Sequence, residues 1–127
     1  MENTHVYLSD NHDAPYCDIV ITEDRYLFLS GLIPQDLESG ELLRGDIAFE
    51  TKKVLENLAV ILEKNGSDMQ HVVRAQVLLR DFSERDAMNA EYIRHFSPGR
   101  MPARLCYGNA ALAGECKVEI MVTAVMK

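Results

Sequence analysis

The sequence has few of the residues on which several common classes of protein depend. Its 127 residues include 13 Lys and Arg against 20 Asp and Glu, which gives a formal net charge of −7. The basic residues are scattered along the chain and form no basic stripe. Affinity for nucleic acid comes largely from Lys and Arg side chains that neutralise phosphates. We therefore expect no nucleic-acid partner.

Cysteines and long apolar runs are also scarce. The three cysteines, Cys17, Cys106 and Cys116, lie far apart, with no Cys-x-x-Cys and no matching His spacing. This argues against a zinc site or a disulfide framework and fits a reducing, cytoplasmic location. No apolar run approaches the roughly 20 residues that span a bilayer, and residues 1–5 lack the basic and apolar segments of a secretory signal. We expect no membrane partner and no bound metal.

The residues that are present suffice for a single domain over residues 1–127. A hydrophobic content of 47% with 26% charged residues is ordinary for a globular protein, and the length allows a sizeable core. The clearest element is a helix that follows Asp46, a favourable N-cap residue, and ends before Gly66. Its apolar or small residues recur with a period of 3.6 and form one stripe: Ile47, Thr51, Val54, Leu55, Leu58, Ile61 and Leu62.

Three segments before the C-terminal region have the pattern of strands. Residues 18–22 and 25–30 predict a hairpin that is joined by the polar pair Glu23-Asp24. Residues 72–80 alternate between two sets of side chains, as expected for a strand with two different faces.

A second helix follows the third strand. Ser83 and Asp86 bracket its first turn in the manner of a capping box, and the helix stops at Ser97-Pro98-Gly99. One face of this helix is predicted to lie in the core, and it carries Met88, Tyr92 and Phe96. Two further strands complete the chain.

This order of elements predicts an α+β fold, a mixed and mostly antiparallel sheet with two helices packed on one face. The uncovered face carries Leu78, Met121 and Val125 beside polar residues. A partly apolar, uncovered face is a common sign of self-association. We therefore expect a symmetric homo-oligomer with its sites at or near the subunit boundaries.

Each of the two C-terminal strands places a charge in an otherwise apolar segment. Residues 102–107 carry Arg104, and residues 117–122 carry Glu119. If the strands pair as a hairpin across residues 108–115, Arg104 lies opposite Glu119. An Arg fork beside a carboxylate, both partly shielded from water, suits a small anionic substrate and a water that attacks it. A structural ion pair between two strands is the alternative explanation of the same spacing.

Five short motifs occur in an order that resembles the YjgF/RidA family. They are Ala14-Pro15-Tyr16, Ser30-Gly31-Leu32-Ile33-Pro34, Asn89-x-x-Tyr92-x-x-x-Phe96, Pro102-Ala103-Arg104-x-Cys106 and Lys117-Val118-Glu119-Ile120. The resemblance covers nearly the whole chain. It implies a fold similar to that of the trimeric bacterial chorismate mutase, and a homotrimer with a cleft between each pair of subunits. The activity that it implies is hydrolysis of reactive 2-imino or enamine acids to 2-keto acids and ammonia, with no metal or organic cofactor.

The chemistry of that reaction assigns roles to several side chains. Arg104 is the candidate for holding the substrate carboxylate, because a guanidinium grips a carboxylate through two parallel hydrogen bonds. Glu119 is the candidate for orienting the water and moving protons. Residues expected to line the site, with no covalent role for the cysteine among them, are Tyr16, Ser30, Gly31, Asn89 and Cys106.

The chain departs from the family pattern at several positions that bear on the identity of the substrate. Ala14 stands where many relatives have Gly, and Leu32 stands where they have Gln. The stretch Leu105–Asn109 replaces Ser-Cys-Val-Glu-Val, and residues 112–114 lack the usual Leu-Pro. The Arg, Cys and Glu positions of the pattern are kept.

Two other functions compete with a deaminase. The same Arg104 cleft would suit a non-catalytic module that senses a small carboxylate such as a 2-keto acid, since binding and turnover both need the arginine. Dependence on Glu119 separates the two, because hydrolysis needs this carboxylate more than binding does. A third reading, an endoribonuclease or translation inhibitor, ranks last, since the chain is acidic and contains no His pair suited to RNA cleavage.

Overall fold

The computed structural model describes residues 3–10, 12–23 and 25–127. The strands are β1 (Thr4–Val6), β2 (Ile19–Thr22), β3 (Tyr26–Leu29), β4 (Val72–Leu79), β5 (Ala103–Tyr107) and β6 (Val118–Val125). The α-helices are α1 (Ile47–Lys64) and α2 (Arg85–Tyr92). The strands form one sheet in the order β1-β2-β3-β6-β4-β5, in which β4 and β5 alone run parallel. This confirms the mixed, mostly antiparallel sheet. No helix in the described ranges is long and apolar enough to cross a membrane.

Helix α1 begins and ends where the sequence predicts. The Asp46 carboxylate accepts a hydrogen bond from the Phe49 N–H at 2.8 Å, which caps a free donor of the first turn. Gly66 follows the C-cap residue Asn65 and adopts a φ of 88°, a conformation that favours glycine. The predicted apolar stripe is buried against the sheet.

The start of α2 differs from the expected capping box. The N-cap residue is Glu84, and it makes no side-chain capping bond. Asp81 accepts from the Ser83 N–H at 2.9 Å and from its hydroxyl at 2.7 Å, so this aspartate caps a short 3-10 turn (Phe82–Glu84) that leads into the helix. Ser83 is therefore a donor to the upstream residue and does not cap α2. The predicted core face of the helix is buried and consists of Met88, Tyr92 and Phe96.

The hairpin of β2 and β3 is confirmed, with Ile19 opposite Leu29 and Thr22 opposite Tyr26. Half of its predicted turn, Asp24, lies outside the described residues. Strand β1 pairs with β2 and was not predicted, because three residues are too few to show an alternating pattern.

Both helices pack on one face of the sheet, as predicted, and share a single core with it. The buried side of β6 supplies Val118, Ile120, Val122 and Ala124 to this core. The opposite face has no helix over it in the described part of the chain. It exposes large apolar side chains, which include Tyr26, Phe28, Leu105, Tyr107 and Met121.

The predicted hairpin of the two C-terminal strands is wrong. Strand β4 lies between β5 and β6, parallel to the former and antiparallel to the latter. The two eight-residue strands β4 and β6 pair from Val72 opposite Ala124 to Leu79 opposite Val118, with a register shift between Val72 and Arg74, and each buries one apolar face. Helix α2 provides the crossover that a parallel β4–β5 pair requires. Residues 108–117 then carry the chain past β4 instead of closing a tight turn.

Candidate functional site

Glu119 lies on the uncovered face of the sheet. Its neighbours in β6, Val118 and Ile120, are buried under the helices, so the alternation of a strand turns Glu119 to the other side. The segment after β3 approaches it closely, because Leu32 and Ile120 exchange backbone hydrogen bonds at 2.8 and 3.0 Å. A Cβ atom at Gly31 would overlap the Oε2 atom of Glu119. A larger residue at this position would therefore force the Glu119 carboxylate to move from its present place.

The Glu119 carboxyl is half-buried and chemically free. Burial raises its pKa above the ordinary value of 4.5, since removal from water disfavours the charged form. Within the described residues it forms no salt bridge and accepts no hydrogen bond. A carboxyl group with a raised pKa and no partner is suited to accept and return protons.

The Glu119 carboxyl borders a cleft of about 820 Å³. This cleft brings together four of the residues that the sequence singled out, although they lie up to 103 positions apart (16 to 119) in the chain. They are Tyr16, Ser30, Gly31 and Glu119. We call this group the carboxylate half-site.

Tyr16 and Ser30 differ in how they contribute to the wall of the cleft. Tyr16 is 62% exposed, and its ring stands free at the rim. The Ser30 hydroxyl donates to the Cys17 carbonyl at 2.7 Å, and its N–H donates to the Asp18 carbonyl at 2.8 Å. Ser30 therefore fixes the segment that carries Tyr16, and its hydroxyl proton is already committed to the backbone.

Arg104 lies elsewhere, on the edge strand β5 and on the face that the helices cover. Its guanidinium carbon is 4.8 Å from the centroid of the Tyr92 ring in α2. Cys106, two residues along the same strand, packs half-buried against the core. Arg104 has no salt-bridge partner among the residues described. We call Arg104, Cys106, Tyr92 and the adjacent Asn89 the arginine half-site.

Helix α2 contributes two polar groups without partners to this region. The Tyr92 hydroxyl and the Asn89 Oδ1 atom are both buried, and neither finds a hydrogen-bond partner in the described part of the chain. They are three residues apart, on one side of the helix. Buried polar atoms in native proteins are normally paired, and the Thr51 hydroxyl in α1 is a third buried polar atom without a partner in the described residues. The sequence identified Asn89 as a candidate, but it indicated Tyr92 only as a core residue.

The two half-sites do not meet within one chain. Arg104 is aligned with Ala75 of β4 and through it with Val122, whereas Glu119 is aligned with Leu78. Two inter-strand spacings, about 10 Å, separate β5 from β6, and the two side chains leave the sheet on opposite faces. The expected position of Arg104 opposite Glu119 is therefore wrong, and so is the alternative of an ion pair between their strands.

A buried carboxylate that the sequence analysis missed holds the start of β6. Glu50 in α1 is fully buried. It accepts hydrogen bonds from the Lys117 N–H at 2.7 Å and the Gly45 N–H at 3.1 Å. The Lys117 Nζ atom lies 3.6 Å from the same carboxylate and donates to the Gly45 carbonyl at 2.6 Å. The sequence feature that indicates this role is the position of Glu50 on the apolar stripe of α1, where burial of an unpaired charge would be costly.

Replacing Glu50 should destabilise the fold more than replacing a surface glutamate of the same helix. Glu50→Ala leaves two N–H groups without an acceptor, at roughly 1–3 kcal/mol each, and we expect a loss of about 2–4 kcal/mol. Glu56→Ala is the control, since Glu56 pairs with Lys53 at the surface and such pairs contribute about 0–1 kcal/mol. Urea unfolding at one protein concentration measures both. Equal midpoints for the two variants would contradict this role of Glu50.

The described residues contain no group of three or more His, Cys, Asp or Glu side chains placed to hold a metal ion. The functional groups of the two half-sites are the unpaired guanidinium of Arg104 and the carboxyl group of Glu119, whose pKa is raised.

Comparisons with known proteins show which family the chain belongs to. The family model described as Endoribonuclease L-PSP matches residues 9–126. The chain is 37% identical over 112 residues to the human 2-iminobutanoate/2-iminopropanoate deaminase, which covers 88% of this chain and 80% of the human protein. It is 40% identical over 102 residues to the Rattus norvegicus protein of the same name, covering 80% and 74% of the two chains.

Solved structures share the fold over the full chain. A YjgF family protein from Neisseria meningitidis superimposes with a TM-score of 0.83 at 31% identity, covering 100% of this chain and 97% of the other. RidA from an Antarctic Psychrobacter superimposes with a TM-score of 0.82 at 26% identity, covering 96% and 94%.

The fold and the relatives together define the class, a small α+β domain with a six-stranded sheet covered by helices on one face. Within that class the chain belongs to the YjgF/RidA family.

Proposed function

We propose that this protein is a hydrolytic deaminase that converts reactive 2-imino acids, and their enamine tautomers, to 2-keto acids and ammonia. The observation that carries the proposal is the half-buried Arg104, whose guanidinium has no carboxylate partner among the described residues. The deaminase names of the human and rat relatives support it. A structural arginine would be paired, whereas this one has its fork available for an anion.

Arg104 binds the carboxylate of the imino acid. Its guanidinium carbon lies 4.8 Å from the centroid of the Tyr92 ring, and its N–H groups have no partner among the described residues, so they are available to form two parallel hydrogen bonds to the carboxylate. This interaction fixes the direction in which the C=N bond points. Because the imine is already reactive, correct placement supplies much of what catalysis requires.

Glu119 manages the protons. As a carboxylate it removes a proton from water while the water oxygen bonds to the imine carbon, and it passes this proton to the imine nitrogen, which gives a carbinolamine and restores the carboxylate. The carboxylate then takes the hydroxyl proton of the carbinolamine and passes it to the amine nitrogen, the C–N bond breaks, and ammonia leaves as the C=O bond of the keto acid forms. The raised pKa of Glu119 places it nearer to neutrality, where both steps proceed.

A working site needs two copies of the chain. Arg104 and Glu119 leave opposite faces of one sheet, so one copy supplies the arginine half-site and another supplies the carboxylate half-site. The exposed apolar side chains of the uncovered face, together with the edge position of β5, supply the contact surface. We infer a homotrimer in which a site lies at each of the subunit boundaries, with cyclic contacts of this head-to-tail kind.

The remaining candidates line the same boundary. Tyr16 contributes a hydroxyl from the rim of the cleft, and Gly31 gives the substrate access to the Glu119 carboxyl. Asn89 offers its buried, unpartnered carbonyl to the amino or imino nitrogen. Cys106 lines the wall beside Arg104 and acts through its shape and backbone.

The proposal is tested by release of ammonia and keto acid from imino acids that an amino-acid oxidase generates in situ. Wild type should accelerate the release over the spontaneous rate, and Arg104→Ala and Glu119→Ala should return it to that rate. The oxidase alone is the control. If wild type fails to accelerate release across several side chains, the deaminase assignment is wrong for those substrates, and a module that only binds small carboxylates is favoured.

A further inference from the structure

Arg104 lies against the first of two neighbouring aromatic rings. Its guanidinium carbon lies 4.8 Å from the centroid of Tyr92. The Tyr92 ring in turn lies 4.9 Å from that of Phe96, at an interplanar angle of 42°. Tyr92 is 2% exposed, and Phe96 is also buried. Both rings are enclosed in the core, so the ring beside the arginine has little room to move.

This ring is the contact that orients Arg104. Across the described ranges the guanidinium donates no hydrogen bond and forms no salt bridge. An arginine side chain without such anchors samples many rotamers. A guanidinium over an aromatic face is attracted by the ring quadrupole, more strongly where water is excluded. The contact with the ring therefore restricts where the guanidinium lies, while its N–H groups keep no partner among the described residues.

We propose that Tyr92 is a positioning residue, whose ring holds the Arg104 fork in the orientation that receives the substrate carboxylate. The inference rests on the proposed function in taking that carboxylate as the ligand of Arg104. It assigns to Tyr92 a role beyond the core packing that its helical stripe indicates. The ring, and not the hydroxyl, has this role.

The state of the hydroxyl supports a function of the ring. Burial raises the pKa of Tyr92 to about 12, so the phenol stays protonated at neutral pH. The hydroxyl finds no partner in the part of the chain that is described. Removing it while keeping the ring therefore costs no hydrogen bond of the free protein.

Three variants separate the ring from the hydroxyl and from general packing. Tyr92→Phe keeps the ring, Tyr92→Leu removes it, and Phe96→Leu removes the neighbouring buried ring, for which the described residues show no cation–π contact with Arg104. In the coupled oxidase assay we expect Tyr92→Leu to raise KM roughly tenfold with kcat changed less than twofold. Tyr92→Phe should have the KM of wild type, and Phe96→Leu should stay within twofold of it.

A second measurement needs no substrate. Relaxation of the Arg104 Nε–H group, observed by NMR in the free protein, reports directly whether the side chain is held. We expect it to be restrained in wild type, Tyr92→Phe and Phe96→Leu, and mobile in Tyr92→Leu.

The two readouts make the failures distinguishable. Equal mobility of Arg104 in Tyr92→Leu and wild type would overturn the positioning role. So would equal KM values for Tyr92→Leu and Phe96→Leu, or a KM for Tyr92→Phe as high as that of Tyr92→Leu. If Arg104 becomes mobile only in Tyr92→Leu and wild type shows no turnover, the contact with the ring is upheld and the proposed function is rejected.

Discussion

Arg104→Lys is expected to lower kcat/KM for 2-imino acids about 100-fold, although the positive charge is kept. An ammonium group cannot form two parallel hydrogen bonds to one carboxylate. Each hydrogen bond to a charged group contributes about 1.5–3 kcal/mol, and 1.36 kcal/mol corresponds to a tenfold change in rate. Loss of one bond and misalignment of the other therefore account for about two orders of magnitude. Steady-state kinetics in the coupled oxidase assay measure the effect.

Arg94→Lys is the matched control for this substitution. Arg94 follows α2, is largely exposed and pairs with Glu91 at 3.4 Å, so the same change of side chain should leave kcat/KM within twofold of wild type. An Arg104→Lys enzyme that retains more than a third of wild-type kcat/KM would show that the guanidinium fork does not bind the substrate.

Glu119→Gln is expected to abolish turnover and to leave binding of the keto-acid product largely intact. The amide keeps the size of the side chain, but it cannot accept a proton from water, and general base catalysis of this kind contributes about 100- to 10,000-fold. Turnover by the assay and the Kd of 2-oxobutanoate by calorimetry measure the two effects. A loss of binding as large as the loss of turnover would contradict a role in proton transfer. Binding by wild type without turnover would identify a sensor of small carboxylates.

The pH profile gives a second test of Glu119. In the proposed mechanism the carboxylate form of Glu119 is the active base, and burial raises its pKa. Wild-type kcat/KM should therefore fall as the pH decreases through a value above 4.5, the ordinary value for glutamate. Titration of the substrate imine affects every variant alike, which makes Glu119→Gln the control. The residual rate of Glu119→Gln should lack the fall at low pH, the acid limb, that wild type shows. An identical acid limb in both proteins would assign that limb to the substrate.

The sequence predicts the elements of this fold well because each has a local signal. The apolar stripe of α1 and the alternation of β4 and β6 express a helical and a strand period that any burial must satisfy. The predicted N-cap Asp46 and the residue after the C-cap, Gly66, have the positions that their chemistry favours. Strand order has no such local signal. Strand order depends on which pairing buries the most surface. Local patterns therefore do not predict that β4 lies between β5 and β6.

The same limit applies to the site. The order of the motifs indicated Tyr16, Ser30, Gly31 and Glu119 as candidate site residues, and all four line one cleft. Strand alternation correctly assigned Glu119 to the face opposite Ile120. It could not show that Arg104 points to the other face, because the faces of two strands are related only through their pairing. Tyr92 was missed for a similar reason, since an apolar stripe does not distinguish a ring that packs from a ring that carries an arginine.

The site shared between two copies is tested most directly by mixing two inactive proteins. Arg104→Ala and Glu119→Ala are unfolded together, mixed in equal amounts and refolded, and ammonia release is compared with each variant refolded alone. In a mixed cyclic oligomer a boundary is intact when one copy keeps its arginine and the next keeps its glutamate. Each of these two conditions holds at about half of the boundaries, so about a quarter of wild-type activity should return. A mixture that stays as inactive as its two components, although mixed oligomers form, would show that the two residues do not act together across a subunit boundary.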